Sequence, residues 1–155
     1  MEPNELSVNI LNDLIRINND RIAGYQRAIN ETKDLDIDLK ATFNNMIGES
    51  EKYRSELADL VTRYGGTVPK DNTLAGKIYR VWMDLKATFT GADRRAILEN
   101  CEYGEDAAQR VYEESLSRRE ELTAEAATLI EDQQRSLKLS HDLIKKYRDA
   151  HEALK

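Results

Sequence analysis

The sequence predicts an all-α domain: four long amphipathic helices, with a long crossover in the middle that carries an additional shorter helix. Three observations lead there. Apolar residues recur at alternating spacings of three and four over long stretches, the period of one buried helical face. Helix breakers are few, two prolines and seven glycines in 155 residues, and Gly65, Gly66 and Pro69 fall together. Between the second and third long helices lies another periodic segment, where a plain up-down bundle needs only a short loop.

The first helix is expected over residues 7–33, with Leu11, Ile15, Asn18, Ile22, Tyr25 and Ile29 on one seam. The acidic link Asp34-Leu35-Asp36 is only a few residues long, so the next helix must be an antiparallel neighbour. That second helix is expected over 38–64, through Leu39, Phe43, Met46, Ser50, Tyr53, Leu57, Leu60 and Tyr64. Gly65-Gly66 forms its C-terminal stop, and Pro69 blocks any continuation. The shorter helix is expected over 74–89, with Leu74, Ile78, Val81, Trp82, Leu85 and Phe89 on one face. Thr90-Gly91-Ala92-Asp93 reads as a break with a capping-box start. The third long helix follows over 92–117, through Ile97, Cys101, Gly104, Ala108, Val111 and Ser115. A break between Ser117 and Thr123 leaves little signal. The last helix is expected over 123–152, through Leu129, Gln133, Leu137, Ser140, Ile144 and Tyr147.

The middle segment sets the topology. A helix of sixteen residues spans about 24 Å, against about 38 Å for twenty-five. With its flanking loops it returns the chain along most of the bundle, so the third helix runs parallel to the second. That is the one-crossover, ferritin-like form of the four-helix bundle. Asp38-Leu-Lys-Ala-Thr-Phe43 recurs as Asp84-Leu-Lys-Ala-Thr-Phe89. The copies sit at opposite ends of their helices and there is no third, so no repeat architecture follows. Residues 1–155 are expected to form one domain.

Charge and composition exclude several classes of function. The net charge of −6, with acidic and basic residues interleaved, argues against a nucleic-acid or anionic-membrane surface. No stretch approaches the roughly 18–20 apolar residues of a membrane span. Met1 to Val8 lacks the basic and apolar regions of a secretory leader. The lone Cys101 allows no internal disulfide and suits a reducing compartment, so a cytoplasmic location is expected.

Several stretches together resemble a bacterial family of ferritin-like four-helix proteins catalogued as a domain of unknown function. They are Leu11-Asn-Asp-Leu-Ile15, Asp20 with Gly24-Tyr25, Leu74-Ala-Gly76 leading to Trp82-Met-Asp-Leu85, Cys101-Glu-Tyr-Gly-Glu-Asp-Ala-Ala108, and His141-Asp142. The resemblance spans residues 10 to 150. It implies the fold and its crossover, and it implies no activity.

A ferritin-like di-iron centre takes a Glu from each of two helices and a Glu-x-x-His from each of the other two. Neither His141 nor His151 has a Glu three residues before it; Lys138 and Arg148 stand there. On the second helix Glu49 is followed by Lys52 and Tyr53 where a His is wanted. The standard centre is therefore not encoded. Glu105 shares a stripe with Leu98, Cys101, Ala108 and Tyr112, Glu102 lies close by, Glu49 flanks Met46 and Tyr53, and His141 lies near Leu137 and Ile144. Glu49, Glu105, His141 and Glu102 are thus the candidate metal ligands, for iron if any cofactor is bound. The alternative, favoured here, is a buried hydrogen-bonded network satisfied by tyrosines or an Arg, because buried polar groups must be paired but seldom need a metal. Cys101 reads as a small buried hydrophobe, Tyr25, Tyr53, Tyr103, Tyr112 and Tyr147 as core residues whose hydroxyls reach the edge, and Gly24, Gly48 and Gly104 as points of close helix packing.

Two functional expectations follow. The favoured one is a non-enzymatic helical protein acting through self-association, a homodimer first, or through a protein partner, with Trp82 or Phe89 as a contact. The other is an iron-binding protein, an oxidase or store linked to oxidative stress, with a degenerate carboxylate and histidine site. A carrier of an apolar ligand is a third, minor possibility.

Overall fold

The computed structural model describes residues 3–32, 36–71 and 94–153. The described residues form four long helices: α1 (Pro3–Glu31), α2 (Ile37–Arg63), α3 (Arg94–Ser117) and α4 (Ala124–Ala153), with a 3-10 turn at Arg119–Glu121 before α4. Among the described residues every regular element is helical, and no helix is long and apolar enough to cross a membrane.

Each helix turns one seam inward. On α2 the predicted seam residues Leu39, Phe43, Met46, Ser50, Tyr53, Leu57 and Leu60 are all buried. On α1 the predicted Leu11, Ile15, Asn18 and Tyr25 are buried, but the centre of the inward face is rotated from the predicted seam. Its buried line is Ser7, Leu11, Leu14, Asn18, Arg21, Tyr25, Ala28 and Thr32, a strict alternation of four and three. Ile22 and Ile29, which hydropathy put on the seam, are only partly buried. Arg21 holds that position instead because its charge is met inside the bundle.

Side-chain contacts give the helix directions. Arg54 of α2 reaches Asn19 of α1 (3.0 Å), and Tyr25 stacks against Phe43 with ring centroids 5.4 Å apart, so α1 and α2 are antiparallel. Tyr112 meets Gln133 (2.8 Å) and Asp106 meets His141 (2.5 Å), so α3 and α4 are antiparallel. Arg94, at the start of α3, pairs with Asp36 and Asp38 at the start of α2, each at 3.2 Å. The second and third helices therefore run parallel, and the connection between them joins opposite ends of the bundle. Its first residues already head that way: Asn12 donates to the Thr67 carbonyl (3.3 Å), while Arg16 and Asn19, further along α1, bond Asp71 at 3.0 and 2.8 Å. The helix expected over 74–89, the capping box at Thr90, and Trp82 and Phe89 lie outside the described residues.

The stop at Gly65-Gly66 is a Schellman motif. Gly66 N–H donates to the Val61 carbonyl (2.9 Å) and Gly65 N–H to the Thr62 carbonyl (3.0 Å), with Gly65 at φ +79°. Gly66 is also a close approach, since a Cβ there would stand 2.7 Å from Val8 Cγ1. The weakly signalled break before α4 is a 3-10 turn of helix-forming residues, held by the Arg118–Glu121 ion pair (2.7 Å). Thr123 caps α4, its hydroxyl accepting from Ala126 N–H (3.2 Å).

Candidate functional site

Two polar layers cross the bundle, and each draws on all four helices. In the first, Asn18 of α1 donates to Tyr112 of α3 (3.0 Å), and Tyr112 donates to Gln133 of α4 (2.8 Å). Gln133 in turn donates to the Tyr53 carbonyl of α2 (3.2 Å). A neutral relay of this kind fixes helix register, because slipping any helix by one residue strands a buried donor or acceptor.

The second layer is ionic. Arg21 is 1% exposed and Glu105 is fully buried, and Arg21 Nε donates to Glu105 Oε1 at 2.7 Å. The same oxygen accepts from Tyr25 OH at 2.5 Å. The far end of the guanidinium reaches α2, with Nη1 donating to Ser50 Oγ (2.9 Å) and Nη2 to Glu49 Oε1 (3.3 Å). Glu49 Oε1 also accepts from Ser140 Oγ of α4 (2.6 Å). Burial works against the Arg21 charge, but the adjacent Glu105 carboxylate outweighs it and holds the guanidinium pKa above its ordinary value. Burial and then Glu105 push the Tyr25 phenol well above its usual range, and they do the same to the Cys101 thiol.

A third group lies off the seam, between α3 and α4. Glu102 and Asp106 stand one turn apart on α3 and face His141 of α4. One donor atom from each of the three lies within 4.8 Å of the others. His141 Nε2 is 2.5 Å from Asp106 Oδ1, and Nδ1 is 3.2 Å from Asp142 Oδ1. Arg148 approaches Glu102 Oε2 at 2.5 Å. Burial works against the His141 charge, but the hydrogen bonds to Asp142 and Asp106 outweigh it and raise its pKa. A cavity of about 520 Å³ opens beside Asp106 and His141, lined also by Gln109, Arg110, Glu113 and Lys138.

Comparison with known protein families adds one finding. The model of the family described as Domain of unknown function (DUF2383) matches residues 7–118. The chain belongs to that family. No curated protein matches it.

In this DUF2383 chain the four candidate ligands fall into two separate places. Glu49 and Glu105 come together in the bundle centre, but with the Arg21 guanidinium between them. His141 and Glu102 come together on the α3/α4 face, with Asp106 as the third member. Glu49 is half-exposed and reaches the centre with one oxygen, whereas Glu105 faces fully inward. Sequence reasoning passed over Arg21 because a charged residue is not assigned to an apolar seam. Its signal was the spacing: Arg21 stands three residues after Asn18 and four before Tyr25. Asp106 was passed over because Glu105, beside it, claimed the inward stripe.

Two smaller expectations also need revision. The Tyr25 and Tyr112 hydroxyls do not reach the edge; they bond inside the core, while Tyr103 is 58% exposed. Gly48 is not a packing contact, since a Cβ there would meet nothing within 4 Å. Gly24 and Gly104 are buried, and so is Cys101, as expected of a small apolar side chain.

Proposed function

We propose that this chain is a ferritin-like cytoplasmic protein that acts by association, with a second copy of itself first and otherwise with a protein partner, and not by catalysis at the bundle centre. The observation that carries the reading is Arg21. A ferritin-like iron centre needs carboxylates converging on a cation in the core, and here the cation between Glu49 and Glu105 is the guanidinium, 1% exposed. The centre is a finished ion pair whose donor set does not fit a di-iron site, which supports association over iron chemistry in the core. The parallel second and third helices support the ferritin-like topology. Leu139 and Leu143, 72% and 40% exposed and one turn apart on α4, support an interacting face.

Light scattering on the purified chain over a hundredfold concentration range tests this reading, with the expected mass twice the 17.8 kDa of one chain. Charged substitution of Leu139 and Leu143 should shift that dimer toward monomer. A strict monomer at every concentration, or rapid ferrous oxidation that Glu105→Gln abolishes, overturns the reading.

A further inference from the structure

We infer that Glu102, Asp106 and His141 form a mononuclear site for a divalent first-row transition-metal ion on the α3/α4 face. The site is outside the bundle core, and the inference does not depend on the association proposed above.

The local structure supplies the ligands in a suitable arrangement. Residues four apart on a helix lie on the same face, so Glu102 and Asp106 project together from α3. The antiparallel α4 brings His141 against them, and one donor atom from each side chain falls within 4.8 Å of the other two. Atoms this near can reach bonds of about 2.0–2.2 Å to one ion once the Asp106–His141 hydrogen bond opens and the side chains draw in around it. One imidazole with two carboxylates suits zinc, iron, cobalt or manganese better than calcium, whose ligands are all oxygen.

A second observation points the same way. The Asp142 carboxylate lies 3.2 Å from His141 Nδ1 and Asp106 Oδ1 lies 2.5 Å from Nε2, so an ion bound at Nε2 would displace the proton shared with Asp106 while Asp142 holds the one on Nδ1. This carboxylate–histidine relay is the usual support behind a metal-bound imidazole, where it fixes the tautomer and raises ligand basicity.

The electrostatic surroundings also favour a cation. Three carboxylates, Glu102, Asp106 and Asp142, surround His141 directly; Arg148 pairs with Glu102, and Arg110, Arg135 and Lys138 stand further out, on the cavity wall beside Glu113. The Glu102 side chain is 14% exposed and Asp106 is 43% exposed. The site is therefore half-sheltered, and the cavity beside Asp106 and His141 leaves room for water to complete an ion's coordination shell. A bound ion would take over from Arg148 as the counter-charge on Glu102.

The test uses the untagged full chain, stripped with a chelator and titrated with Co²⁺ and Zn²⁺. Visible absorption should report the Co²⁺ ligand field, and calorimetry should report Zn²⁺ stoichiometry. The expected result is one ion per chain, with affinity reduced at least tenfold by His141→Ala and by Asp106→Asn. Far-UV circular dichroism checks that both variants remain helical. Glu49→Gln, in the core layer, should leave the affinity unchanged. Absence of binding at millimolar metal, or binding that His141→Ala and Asp106→Asn leave intact, overturns the inference.

Discussion

Replacing Arg21 by Met exposes what the ionic layer contributes. The substitution keeps an unbranched, roughly matched side chain and removes the guanidinium. Glu105, fully buried, then retains only the Tyr25 hydroxyl, because its other oxygen has no hydrogen-bond partner among the described residues. Ser50 loses the Arg21 donor as well, and Glu49 keeps the Ser140 hydroxyl. Breaking a buried ion pair from one side costs about 3–5 kcal/mol, most of it the desolvation of the charge left behind. For a chain of this size each kcal/mol shifts the melting temperature by about 2–4 °C, so Arg21→Met should lower it by roughly 6–20 °C. The double variant Arg21→Met/Glu105→Leu removes both charges and should recover most of the loss. It still leaves the Tyr25 hydroxyl without its acceptor, at about 1–3 kcal/mol, which adding Tyr25→Phe should relieve. Urea denaturation followed by circular dichroism measures all of these variants. If Arg21→Met costs less than about 1 kcal/mol, or if the double variant is less stable than the two single losses combined, the buried ion pair is not the organising contact of this layer.

The remaining predictions concern the backbone and the buried phenols. Gly48→Ala, on an exposed helical position where the new methyl meets nothing, should raise stability by about 0.5–1 kcal/mol in the same urea assay; a loss there would mean an unseen contact. Gly66→Ala should lower it by about 1–3 kcal/mol, because the new Cβ overlaps the stiff Val8 side chain at 2.7 Å, and Val8→Ala should restore part of the loss. Tyr25 has its folded-state pKa raised above the ordinary 10.0, and burial raises Tyr112 likewise. The stability these neutral phenols contribute is complete below pH 10 and is lost as pH climbs through the raised values. Phenolate absorbance should therefore show Tyr25 and Tyr112 ionising only as the helices melt; titration of both near pH 10 with helicity retained contradicts this.

The helices, the α2 seam from Leu39 to Leu60, the Gly65-Gly66 stop and the inward aim of Glu105 are all legible in the sequence. Each is a matter of local periodicity or local backbone conformation, which a few neighbouring residues determine. The parallel second and third helices were likewise foreseeable, from the length of chain between them. The interior position of Arg21 was not, because an arginine enters a core only when its charge is met there, and the residue that meets it stands 84 positions away. For the same reason hydropathy put Ile22 and Ile29 on the α1 seam. Only the tertiary structure divided the four candidate ligands, Glu49 and Glu105 onto a guanidinium inside, Glu102 and His141 beside Asp106 outside. Helical period tells which residues share a face, but the identity of the facing partner depends on how two helices meet.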